Sequence, residues 1–177
     1  MIKIHTPLDH QQLQQLHAND FVHITGKIYT ARDAAHKRLI ADIQHGRALP
    51  FDLKDQILYY VGPSPTPPHL SFGSAGPTTA SRMDPYTVTL LQLGIKGIIA
   101  KGYRSEEVKQ AFLDHKAVYF VAIGGAGALL GSCVVSSKVI AYDDLGAEAI
   151  YELDVKDLPV IVCYDLHGHD AYALDQK

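Results

Sequence analysis

Gly97-Ile98-Ile99-Ala100-Lys101-Gly102-Tyr103-Arg104-Ser105-Glu106-Glu107-Val108, followed by a helical interval and then Ala117-Val118-Tyr119-Phe120-Val121-Ala122-Ile123, decides the fold class. Gly97 to Ala100 is a short apolar run of strand length. Ser105 with two glutamates behind it predicts a capped helix start, because the hydroxyl accepts a free backbone N–H and acids favour the positive end of the helix. That helix runs through Phe112 and Leu113. Ala117 to Ile123 is a second strand, rich in β-branched and aromatic residues. Strand, helix and strand in succession predict an α/β domain with a mixed sheet.

The pattern continues towards the C-terminus. Gly124-Gly125-Ala126-Gly127-Ala128-Leu129-Leu130 is a strand-to-helix turn. It lacks the third small residue of a dinucleotide fingerprint, since Leu130 stands there, so close backbone packing is the better account of its glycines. Apolar pieces follow at 133–135 and 139–142, then a helix or turn at 144–149 and two strands, 150–155 and 160–165. Towards the N-terminus, Ile2 to Thr6 reads as a strand. Phe21 to Thr30, interrupted by Gly26, reads as a strand pair or a bulged strand. Thr30 is placed to cap a helix over 31–40, with Arg32 in its first turn, where a cation opposes the macrodipole. Gln56 to Gly62 is a further strand, ended by Pro63, Pro65, Pro67 and Pro68. No repeat is visible, and 177 residues suit a single domain over 1–177.

Between the prolines and the next helix lies Gly73-Ser74-Ala75-Gly76-Pro77-Thr78-Thr79-Ala80-Ser81-Arg82-Met83-Asp84. Little of it suits a core. Pro77 at a first helical position would open a helix reaching Leu93, with Pro85 weakening or kinking it. The free N–H groups above Pro77 would then form an anion site flanked by Thr78, Thr79, Ser81 and Arg82. A solvated loop-to-helix junction accounts for the same residues.

The net charge of −3 gives no reason to expect a nucleic acid or an anionic membrane as partner. Ten histidines are scattered, and the tightest group, His167-Gly168-His169, has no neighbours at zinc spacing. Cys133 and Cys163 both sit in apolar segments and read as small core residues, with no metal ligand expected. The N-terminus turns polar too soon for a signal peptide, and no apolar run reaches membrane-spanning length, so a cytoplasmic protein is expected. What remains is a set of cations and hydroxyls at element ends: Arg32, Thr78, Arg82 and Lys101. Such ends bind small anions in α/β folds, and two arginines with a lysine suit a dicarboxylate.

Thr25 to Arg38, Tyr59-Tyr60-Val61-Gly62-Pro63, Gly73 to Asp84, Lys101-Gly102-Tyr103-Arg104-Ser105 and the segment 148–159 together resemble the β region of class I fumarate hydratases, a family that includes the L(+)-tartrate dehydratase β subunits. The resemblance covers nearly the whole chain. It implies a swivelling β/β/α domain and an iron–sulfur hydro-lyase acting on a dicarboxylate such as fumarate or malate, with tartrate as the alternative. It implies a [4Fe-4S] cluster held by three cysteines of an α subunit, and a paired assembly such as α2β2 or a homo-oligomer. Two cysteines cannot supply three ligands, so the cluster is expected on that partner. Position by position, Arg32, Arg82 and Lys101 resemble substrate-carboxylate contacts and Thr78 the proton acceptor. Thr79 is the expected orienter of Thr78, with Asp33 and His36 behind them. Ser81 and Tyr103 depart from the family pattern, at positions that bear on substrate choice. A stand-alone anion-binding module is the competing reading from a different class.

Overall fold

The computed structural model describes residues 1–123 and 125–174. In chain order, the elements of the described residues are β1 (Ile2–His5), α1 (His10–Gln14), β2 (Phe21–Thr30), α2 (Asp33–Gln44), β3 (Ile57–Tyr59) and a 3-10 turn (Ala80–Met83). Then come α3 (Asp84–Gln92), β4 (Gly97–Ala100), α4 (Glu106–Asp114), β5 (Val118–Val121), α5 (Gly127–Ser132), β6 (Val134–Ala141), a second 3-10 turn (Asp143–Glu148), β7 (Ile150–Tyr164) and α6 (Ala171–Leu174). The sheet order is β1-β2-β3-β4-β5-β7-β6, and β2 also pairs with β7, so β2, β3, β4, β5 and β7 close into a five-stranded barrel. β2 through β5 run parallel, while β7 is antiparallel to both β2 and β5. The architecture is α/β with a mixed sheet.

Both faces of the barrel wall are buried, which is why β3, β4 and β5 read as unbroken apolar runs rather than alternating ones. Ile57, Tyr59, Val61, Ile99, Val118 and Phe120 belong to one core cluster, with Leu153 and Val162 from β7. The alternate positions Leu58, Tyr60, Ile98, Ala100 and Tyr119 join a second cluster with α2, α3 and α4. The period of two assigns successive residues to opposite faces. α4 begins as expected: Ser105 accepts the Val108 N–H, and Glu106 and Glu107 occupy the first turn.

Four expectations give way to tertiary contacts. The helix expected from Pro77 begins only at Asp84, and Pro85 is tolerated in its first turn instead of kinking it. Thr30 is not a cap. It ends β2 fully buried, where its hydroxyl receives the Tyr151 N–H at 3.0 Å, and the extended Arg32 stands at the cap position of α2. The two strands expected over 150–165 are one strand, β7, paired along its length with β2. The extra residue of the pairing lies in β7, where Lys156 and Asp157 stand opposite Thr25, beside the Gly26 that read as a strand pair or a bulged strand: Asp157 has φ 50° and Gly26 φ 118°. The apolar pieces 133–135 and 139–142 are likewise continuous in β6, with Cys133 closing α5 just before it.

Gly127, which opens α5, packs on the other glycine-rich stretch. A Cβ there would meet Ser74 Oγ and lie 3.1 Å from the Gly76 nitrogen. The turn that falls short of a nucleotide fingerprint is thus filled by the chain's own backbone; Gly124 lies outside the described residues. No helix among the described residues is long and apolar enough to cross a membrane.

Candidate functional site

Three parallel strands end side by side. Thr30 of β2 is in register with Tyr59 of β3, and Tyr59 with Ile99 of β4. The pairing runs one step further, with the Ala31 N–H donating to Tyr59 O at 3.1 Å and the Tyr60 N–H to Ile99 O at 2.9 Å. Arg32, Gly62 and Lys101 therefore leave the sheet at one edge, the carboxyl edge where α/β folds bind ligands.

Thr78 is inserted into this edge. Its N–H donates to Tyr60 O at 2.8 Å, its hydroxyl donates to the same oxygen at 2.9 Å, and its carbonyl accepts the Lys101 N–H at 3.2 Å. The Ala80 N–H donates to Lys101 O at 2.9 Å, so Thr79 and Lys101 form a parallel bridge. These bonds explain why no helix starts at Pro77: the N–H groups expected to be free are engaged with the ends of β3 and β4. The anion site of helix N–H groups above Pro77 is absent for that reason. Thr78 is half-buried and oriented by the Tyr60 carbonyl, whereas the Thr79 side chain is exposed.

Arg32 lies across Gly62. A Cβ at Gly62 would stand 2.7 Å from Arg32 Nη1 and 2.8 Å from its Cδ, so the glycine is the space the arginine occupies. Arg32 Nε is buried without a hydrogen-bond partner, and carboxylate oxygens stand off from it, Asp33 Oδ2 at 3.8 Å and Glu148 Oε1 at 3.9 Å. A buried charged donor lacking a partner is costly, and an incoming anion relieves that cost. Arg82, on the 3-10 turn, instead contacts Asp33, with Nε 3.2 Å from Oδ1 and Nη2 donating to Oδ2 at 3.3 Å. Lys101 is exposed. The edge therefore gathers Arg32, Thr78 and Lys101, and Asp33 ties Arg82 to the same corner.

Behind the edge lies a sealed polar layer. Arg104 is fully buried, donating from Nε to Asp84 Oδ1 at 2.6 Å and from Nη2 to Thr87 Oγ1 at 2.6 Å. Its guanidinium carbon is 5.3 Å from the ring centres of Tyr60 and of Tyr119, within cation–π range. Asp84 also accepts the Ser105 N–H at 2.8 Å, so one carboxylate joins the start of α3 to the loop after Lys101. His36 is buried edge-on to Tyr60, and its Nδ1 lies 2.8 Å from Arg32 O. A carbonyl only accepts, so Nδ1 carries a proton, and the low pKa that burial imposes leaves the ring neutral at pH 7. Burial pushes its pKa down to about 4. Sequence reasoning missed Tyr60, Asp84 and Arg104. They lie inside the quoted motifs, but nothing in their spacing reveals that they meet.

The chain's thiols do not fit an iron–sulfur cluster. Cys163 is buried in β7, where burial pushes it up to about 12, and Cys133, half-buried, is raised by burial as well. Cluster ligation requires thiolates, which these settings oppose. Among the described residues, no three His, Cys, Asp or Glu side chains stand together as a metal ion would require.

The family model described as "Fumarase C-terminus" matches residues 1–174. The chain belongs to the fumarase C-terminal family. Similar members include the anaerobic class I fumarate hydratase of Escherichia coli (strain K12), 40% identical over 164 residues, covering 91% of this chain and 30% of that protein. Fumarate hydratase 1, mitochondrial, of Leishmania major is 36% identical over 178 residues, covering 97% and 32%. A putative L(+)-tartrate dehydratase subunit beta of Methanocaldococcus jannaschii is 38% identical over 171 residues, covering 93% and 88%. Within the family, then, this chain spans about a third of those fumarate hydratases and nearly all of the tartrate dehydratase subunit.

Proposed function

We propose that the chain is the β component of a hydro-lyase that adds or removes water on a dicarboxylate, with fumarate and malate as the first candidate pair and tartrate as the second. The carrying observation is the convergence of Arg32, Thr78 and Lys101 at the ends of three adjacent parallel strands, in a chain of the fumarase C-terminal family. In this reading the chain is one domain, the swivelling β/β/α unit, and Arg32, Arg82 and Lys101 hold the two carboxylates. The open character of the edge supports a site completed by a second polypeptide, an α subunit in a paired assembly. A [4Fe-4S] cluster, which this chain's cysteines do not fit, would belong to that subunit.

Thr78 is assigned the proton of the carbon next to the leaving hydroxyl. That proton passes to Thr78 Oγ1, the C–H electron pair becomes the double bond, and the hydroxyl leaves as water with a proton from the α subunit. The chemistry is demanding. In the isolated chain the Thr78 hydroxyl donates to a carbonyl, which favours the protonated form. The base role therefore requires that bond to break and an alkoxide to form beside Arg32 and Lys101. Thr79 remains a candidate contact at the exposed rim.

The test is reconstitution. The purified chain alone should not dehydrate malate or tartrate, and anaerobic mixing with its three-cysteine α subunit should produce activity. Turnover by the chain alone overturns the proposal. In the assembled enzyme, Thr78→Ala should lower kcat by about 10²- to 10⁴-fold. A change confined to KM would leave Thr78 a binding group only.

A further inference from the structure

Asp33 is the first residue of α2 and stands between the two arginines of the site, yet it treats them differently. It meets Arg82 on its side-on edge, where Nη2 donates to Oδ2 at 3.3 Å and Nε forms an ion-pair contact with Oδ1 at 3.2 Å, and it lies 3.8 Å from Arg32 Nε, too far for a hydrogen bond. A guanidinium offers a carboxylate two forks, Nε with Nη2 and Nη1 with Nη2. With the first taken by Asp33, the second remains open: among the described residues Arg82 Nη1 has no hydrogen-bond partner.

Arg82 is about half exposed, on a turn of four residues, so without a tether its long side chain would sample many rotamers. Fixing it before the ligand arrives reduces the ordering entropy lost on binding. Asp33 suits that task. Its carboxylate is favoured at the amino end of α2, and it follows Arg32 directly, so it fixes the guanidinium of Arg82 relative to the element that carries the other arginine.

We propose that Asp33 is a positioning residue that holds Arg82 by its side-on fork, presents the end-on fork to a ligand carboxylate, and thereby sets the spacing between Arg82 and Arg32 for a dicarboxylate. The inference rests on the dicarboxylate reading of the same site. As a mere surface ion pair, Asp33–Arg82 would contribute little to stability and nothing to binding.

Two measurements test it. In the isolated chain, nitrogen–proton NMR of the arginine side chains should show a distinct Arg82 Nε–H resonance, assigned by its loss in Arg82→Lys. It should move to the free-arginine position in Asp33→Ala and shift only partway in Asp33→Asn. An unchanged resonance in both variants overturns the proposal. In the assembled enzyme, Asp33→Ala should raise KM for the dicarboxylate about tenfold with kcat changed less than about threefold, the size of one weakened charge-assisted contact. Asp33→Glu should recover part of that loss. A fall in kcat at constant KM overturns the positioning role. The first measurement does not depend on turnover. An inert assembly with the expected resonance change defeats only the dicarboxylate reading, whereas an unmoved resonance defeats the inference about Asp33.

Discussion

Tyr60 separates two polar regions built on opposite principles. Its carbonyl faces the open edge, where it holds Thr78, while its ring and hydroxyl face the sealed layer of Arg104, Thr87 and His36. In the sealed layer Arg104 is paired closely with Asp84, although Arg104 Nη1 and His36 Nε2 are buried without a partner. At the edge the cations are under-partnered: Arg32 Nε has none, and Lys101 projects into solvent. What separates the two regions is access: the Arg104 side chain is closed off from water, whereas that of Arg32 reaches the surface, where a ligand can meet it. The same backbone serves both, because strand ends have one side on the core and the other in water.

The largest way to break this contrast is Arg104→Ala. It leaves Asp84 nearly buried without its cation, which should cost about 3–5 kcal/mol in urea unfolding of the isolated chain. A loss below about 1 kcal/mol would mean that the layer is not sealed. Next comes acid. His36 is neutral when folded, with a pKa pushed down to about 4 from an ordinary value near 6.5. The unfolded chain binds the extra proton first, so this contribution is complete above about pH 6.5 and is lost as pH falls towards 4. Its full size is about 3 kcal/mol. Unfolding measured at pH 7 and pH 4.5 should show most of that drop, and His36→Gln should flatten the difference; an equally steep drop in the variant would place its source elsewhere.

The edge should answer in the opposite sense. Gly62→Ala pushes Arg32 aside, and Lys101→Ala removes an exposed cation. Both should shift stability by no more than about 0.5 kcal/mol. In the assembled enzyme each should nevertheless lower kcat/KM by about tenfold or more, as expected for a lost charge-assisted contact. Thermal melts and steady-state rates on the same preparations separate the two regions. Stability losses at the edge as large as those at Arg104 would erase the distinction.

Elements with purely local causes were legible in advance. α4 announces itself through Ser105 and its glutamates, and β4 and β5 through runs too short and apolar to be anything but buried strands. The irregularity beside Gly26 is marked by a glycine at positive φ. The misreadings share one origin. Pro77 resembled a helix start because its neighbours looked unbonded, and Thr30 resembled a cap because hydroxyls cap helices. Pro159 lies inside the stretch that read as a gap between two strands, although it lies opposite His23 in one. In each case a partner distant in sequence claimed the group: Tyr60 and Lys101 for residues 78–80, Tyr151 for Thr30, β2 for β7.

By itself, then, the sequence determined the α/β class, most strands, the best-capped helix and the residues that carry charge and hydroxyl at element ends, because these follow from periodicity, capping and residue chemistry within a few positions. Tertiary structure alone decided that five strands close into a barrel, that Thr78 hangs on the Tyr60 carbonyl, that Asp33 holds Arg82 and leaves Arg32 Nε bare, and that Arg104 is sealed beneath them. Those facts depend on which distant groups meet, and neither composition nor spacing records the meeting of Asp84 with Arg104 or of Gly76 with Gly127.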